Sequence, residues 1–253
     1  SLAPHAPYTV SDATFERITT LAAELNLPLH IHVHETQQEV QDSLKQYGKR
    51  PLHRLSELGV LSPSTIAVHA VHLDNTDLDL LVKFDCSVAH CPTSNMKLAS
   101  GIAPVATLNA RGVRVGLGSD GAASNNRLDL LQEMRHASLL AKVSTQNAAT
   151  LPAHQAIKMA TLDGARALGL DDQIGSIETG KQADLCAIEL SSIYTQPCFN
   201  PISHLVFVAG REHISHVWIN GKPRVHEGKL VLQSHNNELL RISAMWHHRL
   251  VGG

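Results

Sequence analysis

Three stretches of this sequence end in groups that can hold a cation or move a proton. His30, His32 and His34 alternate through Pro28-Leu29-His30-Ile31-His32-Val33-His34, and Glu35 follows at once. Thr65-Ile66-Ala67-Val68 closes on His69, and Val113-Arg114-Val115-Gly116-Leu117 runs into Gly118-Ser119-Asp120. Each run is short and β-branched or apolar, as a strand is. Imidazole and carboxylate groups on successive strand ends suit a divalent metal with an open position for water. Glu35 would then shuttle protons, and His69 would polarise or orient the water. Alternation along a strand puts His30, His32 and His34 on one face, so that His32 can project into a barrel mouth with His30 a layer below. Glu35 reaches the same point only if the strand ends there and the chain turns. A lone strand-end histidine is more often an ordinary hydrogen-bonded residue, and an aspartate such as Asp120, taken alone, is more often a turn or N-cap residue. The ordered set of three is what points to a site.

The elements that must position these groups alternate. Helical periodicity covers Asp12 to Asn26, with Phe15, Ile18, Leu21, Ala22 and Leu25 on one face. Further helices are expected at Glu39 to Gln46, Leu52 to Leu58, Leu78 to Lys83 and Pro104 to Ala110. A long one carries Leu128, Leu131, Met134, Ala137 and Ala141, and another opens at Pro152 and ends before Gly169. Strands are expected at Pro28 to Val33, Thr65 to His69, Cys86 to Ala89 and Val113 to Leu117, with the tail of another at Ser1 to His5. Repeated strand–helix units imply a parallel sheet with right-handed crossovers, and in such barrels chemistry lies at the C-terminal strand ends. From Ile174 the texture changes to short strands, Leu185 to Ile188 and His213 to Ile219. An Asn220-Gly221 hairpin signal follows, and then a helix from Asn237 to Leu250.

The expected architecture is α/β. Residues 1–170 form a partial TIM-like barrel, from the end of strand four to strand eight. Residues 171–253 form the C-terminal part of a small β-sandwich plus the terminal helix. Four complete units are half of the eight that a closed barrel needs. The expectation is a C-terminal portion of a longer enzyme, or a half completed by another polypeptide. Exposed sheet edges would favour homo-oligomers or association with the missing N-terminal portion.

Composition narrows the function. The 253 residues carry a formal net charge of −2 with no charged block, and aromatics make up 4 %, which disfavours nucleic-acid partners. No apolar run approaches the ~20 residues of a membrane span, and the start has no signal-peptide pattern. Four cysteines without a C-x-x-C pair fit a reduced, cytoplasmic protein. The 17 histidines are the anomaly, and many of them fall at expected strand ends. His72 and His90 are read as outer partners or structural residues. Ser94 and Asn95 either line the site or cap a turn, and Ser119 lacks the elbow of a nucleophile.

His32-x-x-Glu35, His69-Ala70-Val71-His72-Leu73, the run Cys91-Pro92-Thr93-Ser94-Asn95-Met96-Lys97-Leu98-Ala99-Ser100-Gly101-Ile102-Ala103-Pro104, and Gly118 to Asn126 resemble the amidohydrolase superfamily. Within it they look closest to the 5-methylthioadenosine/S-adenosylhomocysteine deaminases. Ala3-Pro4-His5-Ala6-Pro7-Tyr8-Thr9 is similar to that family's strand-four motif. Thr161 to Leu170, Gly175 to Lys181 and Ala183-Asp184-Leu185 resemble its passage from barrel to sandwich.

The resemblance implies His32 and Asp120 as metal ligands from strands five and eight, and one divalent ion, zinc. It implies His5 as a nucleoside contact, together with Glu35 and Asp120. Its catalytic residues would be Glu35, His69 and Asp120. The implied reaction is hydrolytic deamination of an adenine ring on a thio-nucleoside, releasing ammonia. Asp120 takes a proton from the activated water and returns it to the ammonia, Glu35 protonates the ring nitrogen, and His69 steadies the adduct. The family's first-strand H-x-H pair has no counterpart here. His30-Ile31-His32 and His32-Val33-His34 match it literally but lie after the Ala-Pro-His segment, where the family expects strand five. Alternatives are a sister amidohydrolase acting on guanine, 8-oxoguanine or a triazine, and a non-catalytic fragment lacking those ligands.

Overall fold

The computed structural model describes residues 1–231 and 236–251. In chain order, helix α1 (Asp12–Leu25) leads to strand β1 (Leu29–Val33), then α2 (Gln37–Tyr47) and α3 (Pro51–Glu57). Strand β2 (Thr65–His69), α4 (Asn75–Lys83), β3 (Ser87–His90), α5 (Pro92–Lys97) and α6 (Val105–Ala110) follow. Next come β4 (Arg114–Leu117), α7 (Ala122–Asn125), α8 (Leu130–Thr145), α9 (Ala153–Ala160) and α10 (Leu162–Ala167). The remainder is β5 (Leu185–Ile188), α11 (Pro201–Phe207), β6 (Ile214–Ile219), β7 (Lys222–His226), β8 (Lys229–Leu230) and α12 (Asn236–Val251).

The first four strands form one parallel sheet in the order β1-β2-β3-β4, with Val33 opposite His69 and His90 opposite Leu117. Local chemistry sets the helix starts. Ser11, Thr36 and Asp129 each accept a backbone N–H in the first turn of the helix they precede, and Asp74 and Asp77 close a capping box on α4. The apolar residues of β1, Leu29, Ile31 and Val33, face a core that includes Phe15, Leu52, Leu55, Leu78, Leu81 and Leu108. His30 and His32 occupy the opposite, less buried face. On that side lies an apolar cavity of about 820 Å³ between the sheet, α8 to α10 and the second sheet. It reaches His30 but not His32, His69 or Asp120, so the clustered polar groups sit above it at the strand ends.

Four later strands make an antiparallel sheet in the order β5-β6-β7-β8. Its hairpin is the one that Asn220-Gly221 signals, and both residues have the positive φ, +49° and +70°, that a type I′ turn requires. Among the described residues these four strands form a single sheet. Residues 232–235 and 252–253 of the expected C-terminal unit lie outside the described residues. Among the described residues no helix is long and apolar enough to cross a membrane.

Some expectations need correction. His34 does not share the face of His30 and His32. Strand β1 ends at Val33, and His34 takes φ +56°, which sends its ring to full burial on the other side. The expected helix from Pro152 to Gly169 is two, broken at Thr161, whose φ of −126° and ψ of −99° are not helical. Ser1 to His5 is not a full strand but lies parallel to β1, through the Leu2–Leu29 bridge and the N–H groups of Leu2, His30 and His32 bonded to the carbonyls of Pro28, Leu2 and His5. Helices α5, α7 and α11, of 6, 4 and 7 residues, lie where no helix is expected; α5 and α7 are runs of small and polar residues without an apolar face.

Candidate metal centre

The C-terminal ends of β1, β2 and β4 bring His32, His69 and Asp120 together. Each offers one ligand atom, and the three atoms lie within 4.8 Å of one another. His32 reaches the point from within β1, and His69 is the last residue of β2. Asp120 lies in the turn after β4. The backbone is bent at each place. His34, His69, Ala70 and Asp120 all take positive φ, between +47° and +73°, although none is glycine. Such conformations persist where surrounding bonds over-determine them, and they concentrate at functional sites. Here the bonds are visible: the His34 carbonyl accepts the N–H groups of Val71 and His72, each at 3.0 Å.

Each site side chain has one end fixed and one end free. His32 donates Nδ1–H to the His5 carbonyl at 2.7 Å, so Nε2 carries the lone pair and faces Asp120 Oδ1 at 4.0 Å. Asp120 Oδ2 accepts the hydroxyls of Ser94 (2.7 Å) and Ser124 (2.5 Å), while Oδ1 is left toward the histidines. Burial pushes the Asp120 carboxyl up, but these hydroxyls, the Gly121 N–H and the charge of His69 outweigh it and hold it below the usual range. His69, 1 % exposed, pairs through Nδ1 with Asn95 Oδ1 at 2.8 Å and turns Nε2 toward Glu35 Oε2 at 3.8 Å. Glu35 Oε1 accepts the Ser100 hydroxyl at 3.1 Å. His5 stands beside the group, with its ring 5.3 Å from that of His32 and its Nδ1 3.0 Å from Thr9 Oγ1.

This donor set fits a divalent ion. Two imidazole nitrogens and a carboxylate oxygen converge, and the outer bonds that orient His32 and Asp120 are of the kind that metal ligands carry. Residues 1–224 match the amidohydrolase family. The chain belongs to that family.

Over 247 residues, 98 % of the chain, it is 47 % identical to a 5-methylthioadenosine/S-adenosylhomocysteine deaminase of Teredinibacter turnerae, and covers 56 % of that protein. A crystal structure of an adenosine deaminase from Xanthomonas campestris with bound zinc superposes with a TM-score of 0.96 at 47 % identity. The match covers 99 % of this chain and 57 % of that one. An atrazine chlorohydrolase variant from Arthrobacter aurescens, solved with zinc and atraton, gives a TM-score of 0.90 at 26 % identity, covering 96 % of this chain and 54 % of its own. The chain thus spans about half the length of the curated relatives it matches.

In this amidohydrolase chain, the residues singled out from sequence divide clearly. His5, His32, Glu35, His69 and Asp120 come together. His72 lies one step out, with Nε2 bonded to the Ser100 carbonyl at 2.7 Å. His90 is buried, and its Nδ1 has no protein partner; burial first, then His69, lowers it to about 4. Ser94 and Asn95 do not simply cap a turn; they hold Asp120 and His69. Two residues escaped sequence reasoning. Glu39 accepts the backbone N–H groups of His34 (2.9 Å) and Glu35 (2.8 Å), fixing the turn that presents Glu35. A signal existed, because Thr36-x-x-Glu39 is a capping-box spacing. Glu133 is the other, and nothing in its helical periodicity marks it.

Proposed function

We propose that this chain carries the C-terminal strand ends of a metal-dependent deaminase barrel, with residues 1–170 in the barrel and 171–253 in the adjoining β unit. The reaction assigned to the intact enzyme is hydrolytic removal of the amino group from the adenine ring of 5-methylthioadenosine- or S-adenosylhomocysteine-type nucleosides. The observation that carries this reading is the convergence of Glu35, His69 and Asp120 around the free Nε2 of His32.

His32 Nε2 and Asp120 Oδ1 would hold the ion, zinc, and other donors would complete its shell. Bound there, a divalent ion lowers the pKa of water toward neutrality. The remaining steps belong to side chains. The Asp120 carboxylate, held by Ser94 and Ser124 through Oδ2, takes the proton from the attacking water. His69 Nε2 orients that water, since its Nδ1 is committed to Asn95. Glu35 Oε2 is the oxygen left to protonate the ring nitrogen, because Ser100 occupies Oε1. His5 lies where it can meet the nucleoside. Proton transfer from a positioned carboxyl contributes typically ~10²- to 10⁴-fold.

The likeness to a triazine hydrolase supports a second reading, in which the same groups act on a triazine or a guanine. Incubating the intact protein with zinc and a panel of methylthioadenosine, S-adenosylhomocysteine, guanine and a chlorotriazine separates them. Hypoxanthine-type products from the thio-nucleosides are expected. Turnover confined to guanine or triazine would establish the second reading, and no turnover of any would leave a non-catalytic barrel.

A further inference from the structure

Glu133 is a fully buried carboxylate that touches no reacting group. None of the ion pairs among the described residues includes it, and both of its oxygens accept hydrogen bonds. Oε2 accepts the backbone N–H of Thr93 at 3.0 Å, and Oε1 accepts Asn125 Nδ2 at 2.8 Å. A buried charge held in this way is costly unless its bonds are well made. Where those bonds lead is therefore informative.

Thr93 is the second residue of α5, a six-residue helix whose N-cap, Cys91, makes no side-chain cap bond. Orphan N–H groups at a helix start need an acceptor, and Glu133 supplies one from α8. The next two residues of α5 are Ser94, which donates to Asp120, and Asn95, which pairs with His69. On the other side, Asn125 Nδ2 also donates to the carbonyl of Ser119, the residue before Asp120, at 2.8 Å. One carboxylate thus ties α8 to both walls that aim His69 and Asp120.

We propose that Glu133 is a positioning residue for His69 and Asp120, acting through Ser94 and Asn95 of α5 and through Asn125. The assignment rests on reading His32, His69 and Asp120 as the metal-facing group of a deaminase.

Glu133→Gln tests it at constant volume. The amide keeps one acceptor and sets an NH₂ against either the Thr93 N–H or Asn125, so one anchor is lost. Zinc affinity of the intact protein is read by chelator competition, which needs no turnover. The expected result is a loss of about 10-fold or more, as for outer partners of metal ligands. It should be accompanied by a fall in kcat with KM little changed. Ser94→Ala should cost markedly less zinc affinity in the Glu133→Gln background than in the wild type, because the two act along one path. A purely structural Glu133 would lower the unfolding midpoint, leave zinc affinity unchanged and make the two substitutions additive; that result overturns the proposal. If Glu133→Gln does not fold, Glu133→Asp, which keeps the charge and shortens the reach, carries the same cycle. Zinc binding without nucleoside turnover would sink the deaminase reading alone. A wild-type protein that binds no zinc would sink both.

Discussion

The backbone of Gly118 passes so close to Cys91 that a Cβ there would lie 2.9 Å from the sulfur. The contact joins the end of β4 to the start of α5, the two segments that carry Asp120 and Ser94. The Cys91 thiol is buried, and burial together with the nearby carboxylates of Asp120 and Glu133 pushes it up to about 12, so it remains neutral filler. Gly118→Ala should therefore destabilise the fold by about 1–3 kcal/mol through overpacking. Cys91→Ala in the same chain should restore much of it. Urea unfolding of both variants checks this, and equal stability of the single and double variants would show that the sulfur is not the obstacle.

Glu35 gives a sharper functional expectation. With Oε1 bonded to Ser100, only Oε2 is placed to deliver a proton. Glu35→Gln should lower kcat by about 10²- to 10⁴-fold with little change in unfolding midpoint. Ser100→Ala frees Oε1 but leaves the carboxyl in place, so its effect should be smaller. Steady-state kinetics of the two on the intact enzyme make the comparison. A larger loss in Ser100→Ala than in Glu35→Gln would contradict the assignment of Oε2.

His32 should matter for metal before it matters for chemistry. Its tautomer is set by a backbone carbonyl, which no side-chain substitution removes, so the ring itself is the variable. His32→Ala should weaken zinc binding by more than ~100-fold, beyond the cost of losing an outer partner. Metal analysis after dialysis against a graded chelator reads it directly. Retention of zinc at wild-type affinity would remove His32 from the ligand set.

Much of the site was legible because strand ends are. Thr65–His69 and Leu185–Ile188 fall where alternation and β-branching put them, and His32 and His69 lie at strand ends with Asp120 in the turn just after one. What sequence hid was the geometry just past each strand. Nothing in Val33-His34-Glu35 announces that His34 adopts φ +56°. That conformation follows from bonds to Glu39, Val71 and His72, made by residues distant in the chain or on the next helix. The same holds for Ser94 and Asn95. As a six-residue helix, α5 has too few turns for a hydrophobic stripe, and its purpose appears only once Asp120 and His69 are in place beside it.

Two buried rings make the fold acid-sensitive. His34 donates Nδ1–H to the His72 carbonyl at 3.0 Å and accepts the Leu52 N–H on Nε2 at 3.2 Å, so it is neutral. Burial, opposed by Asp77, lowers it from 6.5 to about 4; His90 is lowered to about 4 as well. In the unfolded chain both rings protonate below about 6.5, whereas in the folded chain they resist until about 4. Between those values the unfolded state binds more protons, so stability rises with pH and falls on acidification. The contribution is fully present above about pH 6.5, is lost progressively down to about pH 4, and is on the order of 3 kcal/mol per ring. Urea midpoints at pH 7, 5.5 and 4.5 should fall in that order. His90→Leu, which removes one ring whose Nδ1 has no partner, should make the fall shallower. Midpoints that stay level from pH 7 to 4.5 would mean that both rings titrate alike in the folded and unfolded chain.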